Sequence, residues 1–397
     1  MRRLKNKSIL AAFALLISLR AEDWPQFRGP DGEGHSSAKS LALTWSETEN
    51  IKWKTAIPGR GWSSPAILNG LIWITSAVDQ SLHAIALDRK TGKIVVDTAV
   101  FAPDKLGPQH AKNTHASPTP VLEGDRVYVH FGSHGTAALN MKGEVIWKTR
   151  MEYSHMHGTG GSPILYKDLL ILNCDGTDVQ FVVALDKATG KVRWKTPRNA
   201  AMAYATPLII TVNGKDQLIS PGALRGVAYD PSNGKELWSV SYGDGFSNVP
   251  RPVFAHGLLF LPTGFNRADL LAVKPGGEVV WTYKRSVPLT PSPIVVGDEL
   301  YIVSDNGIAT CFDAKTGAVH WQQRLGGNYS ASPVSALGRI YFQNEEGLTT
   351  VIEAGTKFKK LASNQIDGAT LASLAISNDT IYIRAGTNIY AICCDTK

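Results

Sequence analysis

Apolar and polar residues alternate with a period of two over most of this chain, and one stretch shows the unit in full. Phe181 to Leu185 is apolar and β-branched, Asp186 to Gly190 has the composition of a tight turn, and Val192, Trp194 and Thr196 then alternate with Lys191, Arg193 and Lys195. A short apolar run, a turn and an alternating run make the pattern of a β-hairpin. Asp accepts backbone N–H bonds across such a turn, and Gly190 is free to take the positive φ that closes it with a bulge. Helical periodicity is almost absent, so the predicted elements are strands.

The hairpin recurs. Ala184, Asp186, Thr189, Gly190 and Trp194 return as Ala86, Asp88, Thr91 and Gly92 with Val96 in the Trp position, as Ala228, Asp230, Asn233, Gly234 and Trp238, and as Cys311, Asp313, Thr316, Gly317 and Trp321. Turns one residue shorter give Ala138, Asn140, Gly143 and Trp147, and Ala272, Lys274, Gly277 and Trp281. Trp147, Trp194, Trp238, Trp281 and Trp321 lie 47, 44, 43 and 40 residues apart, a period that fits one four-stranded propeller blade. Ser-Pro, Thr-Pro or Arg-Pro openings at residues 64, 117, 162, 206, 251, 292 and 332, with Ala372-Ser373 as an eighth, mark the inner strands. The count predicts an all-β, eight-bladed propeller of four-stranded antiparallel blades. Blade 7 is degenerate, with Glu353-Ala-Gly355 at its turn and Leu361 in the Trp position, which leaves seven blades as the alternative count.

The two ends complete each other. Ile51-Lys-Trp53-Lys-Thr55 matches the outer strands around Trp147 and Trp194 but has no blade before it, while Ile381–Arg384 and Ile389–Ile392 read as middle strands of a last blade that lacks its fourth. Pairing residues 51–55 with that blade closes the ring and removes both exposed edges. Residues 51–397 are therefore read as a single propeller domain, preceded by an irregular leader over 22–50 that contains Trp24-Pro-Gln-Phe-Arg-Gly-Pro30.

Residues 1–21 change the reading of charge. Arg2, Arg3, Lys5 and Lys7 precede an uncharged apolar run from Ile9 to Leu19, too short to span a bilayer, with Ala21 at a plausible cut site: an export signal. Removing these four basic residues and Arg20 takes the formal balance from 41 − 34 = +7 to 36 − 34 = +2. That excess gives no support to binding nucleic acid or anionic membranes. No Cys follows the apolar run to carry a lipid, so the mature chain is expected to be a periplasmic or secreted monomer without a transmembrane span.

The pattern Ala-x-Asp-x-x-Thr-Gly-x-x-x-Trp resembles the tryptophan-docking repeat of the pyrroloquinoline quinone (PQQ)-type propellers, and the leader and Gly59-Arg-Gly-Trp-Ser-Ser-Pro65 resemble a group of exported PQQ-repeat proteins. The resemblance implies eight blades and structural roles for Trp53, Trp147, Trp194, Trp238, Trp281 and Trp321. It also implies one of two functions, because the family contains both BamB-type outer-membrane assembly lipoproteins and quinoprotein dehydrogenases. Fold and chemistry must be read separately.

Connections from an outer strand to the next inner strand share a face with those between second and third strands. On that face fall His110, His115, His134, His155 and His157, and also Asp175, Asp178, Arg225, Asp244, Arg251 and Arg267. The histidines, above all His155 and His157, are candidates for a transition-metal site. The arginines are candidates for a carboxylate-binding cluster, or else partners of Asp230, Asp244 or Asp269. Trp62 is placed to stack on a ligand or to plug the channel. A PQQ enzyme would need Ca²⁺ and a carboxylate base, for which Asp175, Asp178, Asp244 and Asp305 are the candidates, none in a recognisable motif. Cys393-Cys394 resemble the vicinal disulfide of some quinoprotein dehydrogenases, but stand at a turn on the opposite face; Cys174 and Cys311 read as packing residues. No Cys-x-x-Cys-His, Ser-His-Asp order or phosphate loop is present. The reading favoured is an exported, non-catalytic propeller without a cofactor, binding a protein, peptide or glycan on its loop face. The alternative is an oxidoreductase using PQQ with Ca²⁺ or a loop-bound metal.

Overall fold

The computed structural model describes residues 23–393; the segment read as an export signal, residues 1–21, lies outside them, as does Cys394. Thirty-two strands form eight four-stranded antiparallel sheets. Seven blades are each built from four consecutive strands, the first from Ala66–Leu68, Leu71–Val78, Ser81–Asp88 and Ile94–Phe101. The eighth takes Ala375–Ser377, Thr380–Ala385 and Asn388–Cys393 from one end of the chain and Ile51–Ala56 from the other. Thr55 stands opposite Ile389 and Ile51 opposite Ile392, the closing pair the sequence predicts. Blade 7, degenerate in its turn, still has all four strands, from Val334–Ala336 to Lys360–Gln365, so the count is eight.

The recurring turn does two jobs. Within its own blade, the Asp186 carboxylate accepts the backbone N–H groups of Ala188 and Thr189 and the Thr189 hydroxyl, while the register slips by one between Ala184 and Leu185. Between blades, Gly190 is the seat of a neighbour: at φ 72°, a Cβ there would come within 2.5 Å of the Trp147 ring. The Trp147 indole N–H donates to the Lys187 carbonyl at 3.1 Å. Trp194 sits in the same way on Gly234 and Pro231, Trp281 on Gly317 and Ala314, and Trp53 on Gly92 and Arg89, so this contact also crosses the closing joint. Trp321 donates to Gly355 of the degenerate turn. Trp238 departs from the pattern and donates to Gln217 Oε1, where the next turn is one of the shorter ones.

The leader has almost no regular structure and is nevertheless part of the interior. Trp24 is fully buried and bridges to Ile67 of blade 1, and Pro25 accepts from Leu122 of blade 2. Glu33 accepts from the Phe254 N–H of blade 5, and Gly34 and Ser36 pair with Ser335 of blade 7. A segment touching the inner strands of blades 1, 2, 5 and 7 crosses the central channel and plugs it. Trp45 then stacks on Tyr341 before the chain enters its closing strand.

Candidate functional site

Above the plug, on the loop face, the channel opens as a funnel of about 560 Å³. Phe27 of the leader contributes its floor, and a belt of inner-strand hydroxyls forms its lower wall. The N–H of Ser64 donates to Thr119 Oγ1 of the next blade, Thr119 to Ser162 Oγ, and Ser162 to Thr206 Oγ1, at 2.9–3.0 Å. From blade 5 the pattern resumes with the backbone N–H of Arg251 donating to Ser292 Oγ, and continues through Ser332 and Ser373. The Ser/Thr-Pro openings are thus a blade-to-blade latch as well as a strand start. In blade 2 the latch is Thr119, two residues after the Ser117 that marks the opening.

Arg251 interrupts the belt, and its place differs from the ligand-binding role read from the sequence. The residue is 3 % exposed; its Nε donates to the Pro207 carbonyl and its Nη1 to the carbonyls of Phe27 and Gly32, stapling the leader in the channel. Burial without a directly paired carboxylate lowers its pKa to about 10, and burial beside Arg251 lowers that of Arg28 to about 9. The other two arginines have separate partners. Arg225 makes a two-pronged pair with Glu236, and Arg267 pairs with Asp269 at 3.0 Å. The three do not form one cluster: Arg225 and Arg267 are each held by a carboxylate of their own blade, and Arg251 by carbonyls of the leader and of the preceding blade.

Asp175 is likewise committed. It is fully buried against the Arg198 guanidinium, whose Nε donates at 2.7 Å, and Arg198 continues through Ser220 Oγ to Asn173, linking blades 3 and 4. Burial pushes the Asp175 carboxyl up and Arg198 opposes that push. Asp178 caps the backbone at Ser154, whose N–H holds its pKa down, and Asp244 binds Asn266. Asp305 does face the funnel. Burial raises its pKa, offset by the Leu289 N–H that it accepts at 2.6 Å.

The upper wall is aromatic. Trp62, Tyr204, Phe246 and Phe265 line it, with Phe246 and Phe265 edge to face at 5.5 Å and Phe265 54 % exposed at the rim. Trp62 is therefore a wall residue, and the channel is plugged by the leader instead. His110 and His157 complete this wall. Their rings are 5.7 Å apart, His157 lies 6.0 Å from Tyr204, and the backbone N–H of His110 donates to the backbone carbonyl of His157.

His155 turns the other way, so the pairing of His155 with His157 read from the sequence is corrected. Along an extended loop, residues two apart share a side only where the backbone runs as a regular strand, and 151–161 form none. His155 joins His115 and His134, with ring centroids 5.3–6.3 Å apart. One ring nitrogen of each lies within 4.8 Å of the other two. Burial lowers all three; the neighbouring imidazoles add to this for His115 and for His155, which falls to about 4, and Arg150 adds to it for His134. Behind them His130, which the repeat pattern did not single out, is fully buried between Thr136 Oγ1 and the Tyr153 hydroxyl, and desolvation lowers it to about 3.

Fold and site together define a closed, eight-bladed propeller with a plugged channel and a loop-face funnel. The chain belongs to the PQQ-repeat family described as outer membrane protein assembly factor BamB, whose profile matches residues 36–159, 83–210 and 266–393. It is 22 % identical over 339 residues to the tetrathionate hydrolase of Acidithiobacillus ferrooxidans, a match covering 77 % of this chain and 55 % of that protein. The chain spans about half the length of the curated relatives it matches. Among solved structures, BamB from Moraxella catarrhalis aligns with a TM-score of 0.63 at 14 % identity, covering 86 % of this chain and 98 % of that one. A europium-containing methanol dehydrogenase aligns with a TM-score of 0.68 at 12 % identity, covering 91 % and 89 %. At these identities the structural likenesses show the fold alone.

Proposed function

We propose that the chain is an exported, non-catalytic binding propeller of the cell envelope, and that its funnel captures an extended peptide segment or glycan of a partner. The observation that carries this is the funnel's layered chemistry. Each belt hydroxyl that accepts a neighbour's N–H retains its own O–H as a donor, and these donors lie beneath an aromatic wall in a site closed at its floor. Rings supply sequence-tolerant stacking area and the hydroxyls supply partners for carbonyl or sugar oxygens. A rigid ring with such a loop face is a platform for recognition. The relatives named as outer membrane assembly factors support a place in the envelope.

The alternative, a quinoprotein-type oxidoreductase, is weakened by the donor set. An anionic quinone over Ca²⁺ calls for several oxygen ligands and cationic partners. The funnel offers one carboxylate, Asp305, already accepting from Leu289, and one lysine, Lys112, already paired with Glu345 at 2.9 Å. Arg251 lies against the leader backbone. These residues do not fit the cofactor.

The test is to screen a peptide library and a glycan array with the mature protein and with a Trp62→Ala/Tyr204→Ala/Phe246→Ala variant of unchanged melting temperature. Ligands retained by the first and lost by the second support the reading. Stoichiometric binding of PQQ with Ca²⁺, abolished by the same variant, would replace it with the oxidoreductase.

A further inference from the structure

We propose that His115, His134 and His155 bind one divalent transition-metal ion, Zn²⁺ or Cu²⁺, on the loop face beside blade 2. The three come from three connections: the loop into blade 2, the short 3₁₀ turn Gly132–His134 inside it, and the loop leaving it. One nitrogen of each lies within 4.8 Å of the others, whereas a tetrahedral site with bonds of about 2.0–2.1 Å needs roughly 3.3 Å. Small ring rotations on the ion close that difference.

A second observation points to a ligand independently of the clustering. His115 is 97 % buried, being 3 % exposed, and its Nδ1 has no hydrogen-bond partner; neither has the buried Nδ1 of His134. Native interiors rarely leave such atoms unpaired. The opposite nitrogen of His134 is engaged: Nε2 lies 2.9 Å from the Leu106 carbonyl, which requires it to donate and leaves the lone pair on Nδ1. His155 is steadied by Ser133 Oγ at 3.3 Å through its Nδ1, and His115 by the Gly107 backbone. Imidazoles oriented by outer hydrogen bonds, with the Nδ1 atoms of His115 and His134 unclaimed, are the arrangement a metal ligand set uses.

The donor set selects the ion. Three neutral nitrogens with no carboxylate among them suit Zn²⁺ or Cu²⁺ and disfavour Ca²⁺ and Mg²⁺, which take oxygen. Three protein ligands leave a coordination position open, and the half-exposed His134 and His155 place it toward solvent. An ion held so keeps its full positive charge and would accept water or an anionic group of an incoming molecule.

The experiment uses the mature protein without a histidine tag, stripped with chelator and titrated with Zn²⁺ and Cu²⁺ by calorimetry. One ion per chain is expected, at micromolar affinity or tighter, with nitrogen hyperfine structure in the Cu²⁺ electron paramagnetic resonance spectrum. His134→Gln and His155→Gln should each weaken binding at least ten-fold, while His110→Gln and His157→Gln leave it unchanged. Should the buried His115→Gln variant fail to fold, the Co²⁺ absorption spectrum of the unmodified protein still reports the site, as a tetrahedral or five-coordinate nitrogen environment. Absence of stoichiometric binding, equal affinity in His134→Gln, or loss through His157→Gln would each overturn the proposal.

Discussion

Replacing Asp175 by alanine separates a structural carboxylate from a ligand-binding one. The side chains of Asp175 and Arg198 are 0 % and 2 % exposed, so the substitution leaves a buried guanidinium with the Ser220 hydroxyl and carbonyl as its acceptors. Breaking a buried pair from one side costs about 3–5 kcal/mol, chiefly the desolvation of the charge left behind. For a propeller of about 370 residues, an unfolding entropy of ~2.1 cal/mol/K per residue amounts to about 0.8 kcal/mol/K, so the melting temperature should fall by roughly 4–6 °C. Calorimetry measures this directly, and Asp175→Leu/Arg198→Met is the control: with both charges gone, most of the loss should return. A single variant within about 1 kcal/mol of the parent, or a double variant no better than the single, would refute the burial argument. Unchanged stability with lost ligand binding would return Asp175 to the site.

The seat of the indole is tested at two glycines. Gly190→Ala, with φ 72° and a Cβ 2.5 Å from Trp147, should cost about 2–4 kcal/mol, whereas Gly70→Ala, at φ 80° with nothing within 4 Å, should cost only the backbone term of about 1–2 kcal/mol. Equal losses in denaturant titration would show that the contact contributes nothing. Deleting residues 51–56 removes the strand that closes blade 8; a lowered melting temperature and faster proteolysis near residues 388–393 are expected, and an unchanged melting curve would contradict closure. For pH, His130 binds its proton at about 3 when folded and near 6.5 when unfolded, so the unfolded state takes up the proton first. Stability is therefore lost as pH falls from 6.5 toward 3, by up to about 1.4 kcal/mol per unit, and the difference between the parent and His130→Gln should narrow over that window. A parallel pair of stability–pH curves would exclude His130 as the cause.

The repeat was legible because it is local. Asp186, Thr189 and Gly190 specify a turn through bonds to their own backbone, and the spacing of Trp147, Trp194, Trp238, Trp281 and Trp321 gives the length of one blade directly. The unpaired strand at 51–55 declared its partner for the same reason: a strand needs a neighbour and only one end of the ring lacked it. Even the shared face of the histidines was readable, since His115, His134 and His155 are 19 and 21 residues apart, about half a blade, and half-blade spacing returns the chain to the same side.

What the sequence by itself determined was thus whatever depends on period and turn chemistry: strand type, blade architecture, closure and the face of each loop, while the four strands of the degenerate blade 7 were decided by the structure. Only the tertiary structure decided which side chains on that face meet. It divided five histidines into a wall pair and a separate trio, since residues 102–120 and 151–161 run without regular strands and their side-chain directions follow from packing. It gave Asp175 to Arg198 and Arg251 to the leader carbonyls, because a buried charge takes the nearest partner in space, 23 or more than 200 residues away along the chain. It also turned the irregular leader into the channel's plug, a role that no periodicity announces, since its contacts with blades 1, 2, 5 and 7 exist only once the ring has closed around it.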